Sequence, residues 1–209
     1  RLAQKLIEKG IQVHLITSRF DKRWKRVEYL GPLKVIRLSS PPIRILGTLI
    51  FLVSLLRYLL QYRSNYQIIH IHLASHEAFW GIFWGNILKK RIVLKLASGG
   101  KCGKIMGELF RLNNSLRGKI ILTGIKKAHR FIATTPQIKN HLLEFSFIED
   151  RIVNIPNGVD IETFRPRSLN TYGSDPRQCK KVLFVGRLSE EKGIIPLINA
   201  WRILLDWYD

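Results

Sequence analysis

The sequence predicts an α/β fold: a parallel sheet with helices on both faces. Three observations point there. Short apolar, β-branched runs alternate with longer stretches of helical periodicity. Those runs are nearly continuous rather than alternating, as in strands covered on both sides. The 209 residues are 46% apolar and 24% charged, enough to bury a sizeable core and outside the range of disordered or collagen-like chains. The length corresponds to about one and a half ordinary domains.

The elements follow in order. Arg1 to Lys9 reads as a helix stopped by Gly10, with Leu2, Ala3, Leu6 and Ile7 on its apolar face. Val13 to Thr17 (VHLIT) and Lys34 to Leu38 (KVIRL) read as strands. Ile43 to Leu60 is a strongly apolar helix, and Ile68 to His72 (IIHIH) a third strand. A helix from Ala78 to Leu88 precedes a strand at Ile92 to Leu96 (IVLKL). Met106 to Leu112 and Lys119 to Ala128 are helical, Arg130 to Thr134 (RFIAT) a strand, Gln137 to Phe145 a helix and Arg151 to Ile155 a strand. After Ser168 to Lys181 come Val182 to Val185 (VLFV), a further strand, and a helix from about Ile194.

Ser168 to Lys181 (SLNTYGSDPRQCKK) is the linker by composition and by its Asp175-Pro176 turn signal. This divides the chain into residues 1–167, 168–181 and 182–209. The apolar helix has no uncharged run longer than Ile45 to Leu56, 12 residues, against the ~20 needed to span a bilayer. It is read as buried, with an interfacial position as the alternative. The chain opens on Arg1 without an initiator Met and closes within a helical pattern, so it is expected to be part of a longer protein.

Charge separates the two halves. Of 35 Lys and Arg against 15 Asp and Glu, a net +20, residues 1–130 hold 25 cations and only Glu8, Asp21, Glu28, Glu77 and Glu108 as acids. Residues 131–209 balance at ten of each. A basic region of this kind faces an anionic partner, membrane or nucleic acid, or serves only solubility. Cys102 and Cys179 fit no metal or redox spacing, so free thiols and a reducing, cytoplasmic setting are expected.

The most informative segment is VLFVGRLSEEK, Val182 to Lys192. A buried strand ends at Gly186, where a small residue admits a ligand or a neighbouring backbone. Arg187 and Lys192 follow at the strand's carboxyl end, with Ser189 as an N-cap and Pro196 in the first turn of the next helix. Ligands of open α/β sheets bind at that edge, and helix N-termini attract phosphate. The two cations therefore form a diphosphate clamp, or else pair with Glu190 and Glu191.

VLFVGRLSEEKGIIPLINAW resembles the start of the second domain of family 4 glycosyltransferases, which have the GT-B fold of two Rossmann-like domains. Arg130 to Pro166, with IPNGVD, is similar to the segment closing that family's first domain, and Asn157-Gly158 is a turn signal in its own right. IIHIH and RLAQKLIEKGIQVHLIT fit the first domain. The resemblance implies an acceptor-side domain followed by the first βα unit of the donor-side domain. It implies retaining transfer of a sugar from a nucleotide diphosphate sugar, without a cofactor or a metal. It also implies that Arg187 and Lys192, beside Gly186, contact the donor diphosphate. In that family a Gly-rich loop would precede Arg1 and an E-x7-E carboxylate pair would follow Asp209, so these 209 residues alone are expected not to turn over donor.

Where many relatives carry a His after the IVLKL strand, this sequence has Ala97, which leaves the catalytic residue unassigned. Ser98, Gly99, Gly100 and Lys101 follow, a Gly-rich loop that can offer N–H groups to an anion or be a plain loop. His76, beyond the IIHIH strand and beside Glu77, is the histidine placed to touch substrate. His70 and His72 share one strand face as core histidines, with no further metal ligands spaced near them. His14, His129 and His141 carry no role beyond packing. Trp80 and Trp84, at i,i+4, form a helical face assigned to core packing.

The expected activity is sugar transfer to a glycan or lipid-linked acceptor in cell-surface polysaccharide synthesis. The enzyme would sit at the inner face of the membrane through its basic region. The rivals are a basic nucleic-acid-binding α/β module, which shows no RRM, KH, zinc-finger or helix-turn-helix signature, and a non-catalytic glycosyltransferase-like protein. Nucleic acid is not the expected partner.

Overall fold

The computed structural model describes residues 2–99, 101–102, 105–165 and 182–208. The chain forms two compact units, Arg1–Pro156 and Asn157–Asp209. The linker expected at 168–181, and Cys179 with it, lies outside the described residues.

The first unit opens with α1 (Leu2–Glu8) and β1 (His14–Arg19). β2 (Val27–Leu30) and β3 (Leu33–Ser39) then form a hairpin whose tight turn needs Gly31 at φ +59. β3 pairs in parallel with β1, His14 opposite Lys34, giving a three-stranded sheet ordered β1-β3-β2. α2 (Arg44–Gln61) leads to β4 (Ile68–His72), α3 (His76–Ile87) and β5 (Arg91–Leu96). A short antiparallel pair, β6 (Lys101–Cys102) and β7 (Ile105–Met106), precedes α4 (Glu108–Asn113) and α5 (Leu116–Ile125). β8 (Arg130–Ala133), α6 (Pro136–Glu144) and β9 (Ile152–Asn154) complete a four-stranded, all-parallel sheet ordered β4-β5-β8-β9.

The α/β architecture is the one expected, with parallel strands flanked by helices. It differs in that the described strands form two larger sheets, the first of them mixed, and the small β6-β7 pair, rather than one sheet. The hairpin strand β2 was not anticipated. Its Val27 and Tyr29 are exposed, and it is held by its backbone ladder to β3 rather than by a buried face.

The core belongs to the four-stranded sheet. Ile92, Leu94 and Leu96 of β5 are fully buried on one face, against Ala78 and Ile82 of α3 and Ile121, Leu122 and Ile125 of α5. Phe131 and Ala133 of β8 extend the layer to Ile138 and Leu142 of α6. On the opposite face of β5, Val93 and Lys95 are half-buried, so the strand is sealed on one side only. Helix starts are set by side chains: Ser75, Ser115 and Thr135 accept the N–H groups of Ala78, Gly118 and Ile138. Trp80 and Trp84 stack at 5.7 Å, as their spacing implies, within an aromatic group that includes Phe79 and Phe83. Phe79 packs on the core; the two tryptophans stay half-buried outside it.

In the second unit the expected turn at Asn157-Gly158 is displaced. It falls at Ile161 to Thr163, where the Asp160 carboxylate accepts the N–H groups of Glu162 and Thr163. Val182 to Val185 forms no strand among the described residues, and Leu183 and Val185 are exposed rather than buried. A strand exists only with a ladder partner, and nothing described in this unit supplies one. The helical half of the expected βα unit is present as α7 (Ile194–Tyr208), with Pro196 in its first turn. Ser189 occupies the cap position of a preceding 3-10 turn, Glu190–Lys192, but its hydroxyl makes no capping bond.

Candidate functional site

Because β4, β5, β8 and β9 all run in one direction, the segments that follow them meet on one edge of the sheet, where ligands of open α/β sheets bind. Leu73 to His76 leave β4, Ala97 to Gly99 leave β5, and Thr134 and Thr135 leave β8. The Thr134 hydroxyl donates to the Leu96 carbonyl at 3.3 Å and ties two of these exits together.

One buried carboxylate organises the edge. Glu108, at the first position of α4, accepts the Ala74 N–H at 2.6 Å through Oε2, and the Ala97 and Ser98 N–H groups at 3.0 and 2.9 Å through Oε1. Its own N–H donates to the Ser98 carbonyl. Glu108 is only 7% exposed. A charged acceptor with three backbone donors is the arrangement that makes such burial tolerable. The sequence reading missed this residue, for an acid at a helix start signals only a favourable dipole.

The backbone at this edge is strained. Leu73 has φ 75, in the left-handed region that bulky residues avoid, and it is not at a helix end. Lys89 and Ser146, the other non-glycines with positive φ among the described residues, follow directly on the caps of α3 and α6, where that conformation is common. Strain held by surrounding hydrogen bonds, here Leu73 N–H to Lys95 O at 3.0 Å, concentrates at functional sites.

The sheet face away from the core carries His70 and His72, which stack at 4.6 Å as their alternation implies, with Lys95 opposite His72 in register. Burial pushes the His70 pKa down to about 4, helped by His72 and Lys95, and lowers that of His72. Both rings are therefore neutral at neutral pH. The His70 Nε2 atom is buried without a hydrogen-bond partner among the described residues. Neutral imidazoles beside an ammonium group can bind hydroxyls or an anion without titrating.

The expected site residues fall into two groups. His76 is the exposed first residue of α3, on the edge as anticipated. Ser98 is also there, but its N–H is engaged by Glu108 and so is not a donor open to an anion. Gly99 leaves no room for a side chain: a Cβ would stand 2.6 Å from Ile138 Cγ1 and 3.2 Å from His141 Nδ1. This gives His141 a contact with the loop that its sequence position did not suggest. Gly100 lies outside the described residues, and Lys101 opens β6.

Gly186, Arg187 and Lys192 belong to the second unit. Gly186 and Arg187 are exposed, and a Cβ on Gly186 would lie 3.2 Å from the Phe184 ring. Lys192 closes the 3-10 turn, and Gly193 at φ +71 redirects the chain into α7. Among the described residues no group of three or more His, Cys, Asp or Glu gathers to hold a metal ion.

Comparison with known proteins adds the family. Similarity to solved structures is distant. A putative UDP-N-acetylglucosamine 2-epimerase from Listeria monocytogenes is 12% identical, with a TM-score of 0.41 over 56% of this chain and 29% of that one. HepE from Anabaena, in complex with UDP, is 15% identical, with 0.43 over 61% and 32%. MnaA from S. aureus, also with UDP, is 12% identical, with 0.37 over 68% and 43%. The chain thus spans less than half the length of each. No curated protein matches the sequence. The Glycosyltransferase Family 4 model matches residues 1–163, a span that holds every strand among the described residues. The chain belongs to Glycosyltransferase Family 4.

Proposed function

We propose that the whole protein transfers a sugar from a nucleotide diphosphate sugar, with retention at the anomeric carbon, to a glycan or lipid-linked acceptor in cell-surface polysaccharide synthesis. The observation that carries this reading is the family match over residues 1–163. In it, residues 1–167 are the acceptor-side domain, 168–181 the linker and 182–209 the start of the donor-side domain. The edge organised by Glu108 receives the acceptor. His76 contacts a hydroxyl of that acceptor, and the Ser98 to Lys101 loop borders it.

The leaving diphosphate develops negative charge as the glycosidic bond to the donor breaks. Arg187 and Lys192, beside Gly186, neutralise it, an electrostatic task for which side-chain cations suffice without a cofactor or metal. The excess of cations in residues 1–130 holds the enzyme at an anionic membrane surface, where a lipid-linked acceptor resides. Among the described residues no helix is long and apolar enough to cross a membrane.

The test follows nucleoside diphosphate release by the whole protein across a panel of donors, with the anomeric configuration of the product read by NMR. Turnover with retention is the expected result. Inversion would overturn the mechanism, and absence of release with every donor and acceptor extract would favour a non-catalytic relative.

A further inference from the structure

α2 is apolar on two sides. It packs on β3 and on α3, and its Leu59 is buried. The exposed side carries Ile45, Leu49 and Val53 in an i,i+4 stripe, 78%, 54% and 59% exposed, with Leu46 and Leu60 beside it. Single exposed apolar residues are ordinary, but a continuous stripe along one helix marks a surface that something covers. A helix apolar all round is stable when both sides are covered.

The charges on α2 and the chain flanking it are of one sign, and the acid in the loop after β1, Asp21, is paired with Arg23. No acidic residue occurs between Glu28 and Glu77, whereas Arg57 continues the exposed stripe one turn beyond Val53 and Arg63 follows the helix. β1 and β3 are parallel, so the loop leaving β1 lies at the edge from which α2 departs. That loop exposes Lys22, Lys25 and Arg26 together with Phe20 and Trp24. The apolar stripe thus has cations along it and a cationic, aromatic loop at its start.

We propose that the exposed stripe of α2, with the loop after β1, is the surface that seats the protein on an anionic phospholipid bilayer. The helix lies in the plane of the interface. This deepens the membrane attachment of the proposed function and rests on that reading. Ile45, Leu49 and Val53 enter the headgroup–acyl boundary, Trp24 sits at headgroup level, and the lysines and arginines meet lipid phosphate. A second copy of the chain would oppose Arg57 and its neighbours to their own kind. Nucleic acid would satisfy the cations but leave the stripe in water. An anionic bilayer satisfies both.

The test is flotation of the whole protein with phosphatidylcholine vesicles, with and without phosphatidylglycerol. The chain is expected to float only with the anionic vesicles. Leu49→Ser with Val53→Ser should weaken binding by about ten- to a hundredfold. Lys22→Glu with Lys25→Glu should weaken it by about thirtyfold or more and reduce its salt dependence. Should the apolar variant melt early, Val53→Cys in a background with every other cysteine changed to serine, carrying an environment-sensitive dye, serves instead. Its emission should shift to the blue on anionic vesicles, and no shift would overturn the proposal. Undiminished flotation of the stripe variants would overturn this surface while leaving membrane attachment standing. No flotation of the wild type would overturn both. A dimer abolished by the same substitutions, or tighter binding to RNA than to vesicles, would also overturn it.

Discussion

The Glu108 carboxylate accepts the Ala74 N–H at 2.6 Å from 34 residues away in sequence, and so fastens the exit of β4 to the start of α4. Its other oxygen takes Ala97 and Ser98, so one side chain holds the loops beyond two adjacent parallel strands. Glu108→Ala would leave three backbone donors without their acceptor, at about 1–3 kcal/mol for each one left unsatisfied. We expect a loss of at least about 3 kcal/mol in chemical denaturation. Glu108→Gln, which keeps one carbonyl acceptor, should lose less. An Ala variant as stable as the wild type would show that the loops are held otherwise.

Gly99→Ala should destabilise by about 1–3 kcal/mol, because the added methyl would overlap Ile138 Cγ1 at 2.6 Å and force α6 or the loop to move. The same shift would disturb the β5 exit. Thermal melting reads the first effect. Ile138→Val beside Gly99→Ala should recover part of the loss if the overlap is the cause.

Stability should fall as the solution is acidified below pH 6.5. The His70 pKa is depressed to about 4 in the folded state, so between those values the unfolded chain binds the proton and the folded chain does not. The contribution is complete above the unfolded value of 6.5 and is lost progressively on going down to about pH 4. Its size is about 1–3 kcal/mol once solvent screening at the half-buried ring is allowed for. His72, His14 and His129 are lowered as well, chiefly by burial, and act in the same direction below pH 6.5. Urea midpoints of wild type and His70→Asn across this range measure it, and an equally steep dependence in the variant would place the effect elsewhere.

In the whole protein, Lys192→Ala and Arg187→Ala should each reduce donor turnover by about ten- to a hundredfold, the worth of a charge-assisted hydrogen bond to a developing diphosphate. Unchanged turnover and donor affinity in the double variant would remove the clamp from the proposed function.

Local pattern carried most of the elements. The span Ile68 to His72 is the strand β4 residue for residue, and the runs around Ile92 and Phe131 are strands within a residue or two, because β-branched side chains stiffen an extended backbone wherever it lies. The caps at Ser75, Ser115 and Thr135 are equally local. The alternation of His70 and His72 placed both on one face without knowledge of what lies across the sheet.

What local pattern could not carry was pairing between distant segments. β2 has no buried face to write itself into the sequence, and only its ladder with β3 makes it a strand. Val182 to Val185 is the converse, an ideal apolar run that forms no strand among the described residues because composition cannot supply a partner. Glu108 is the clearest case. As a residue type it announces nothing beyond a helix start. The tertiary fold gives it three donors drawn from two other segments, and the favourable energy of a buried carboxylate lies in those partners. The sequence by itself determined the α/β class and the sign and place of the charge. Tertiary structure decided which backbone groups are already spent, because hydrogen-bond partners are a property of distance in space.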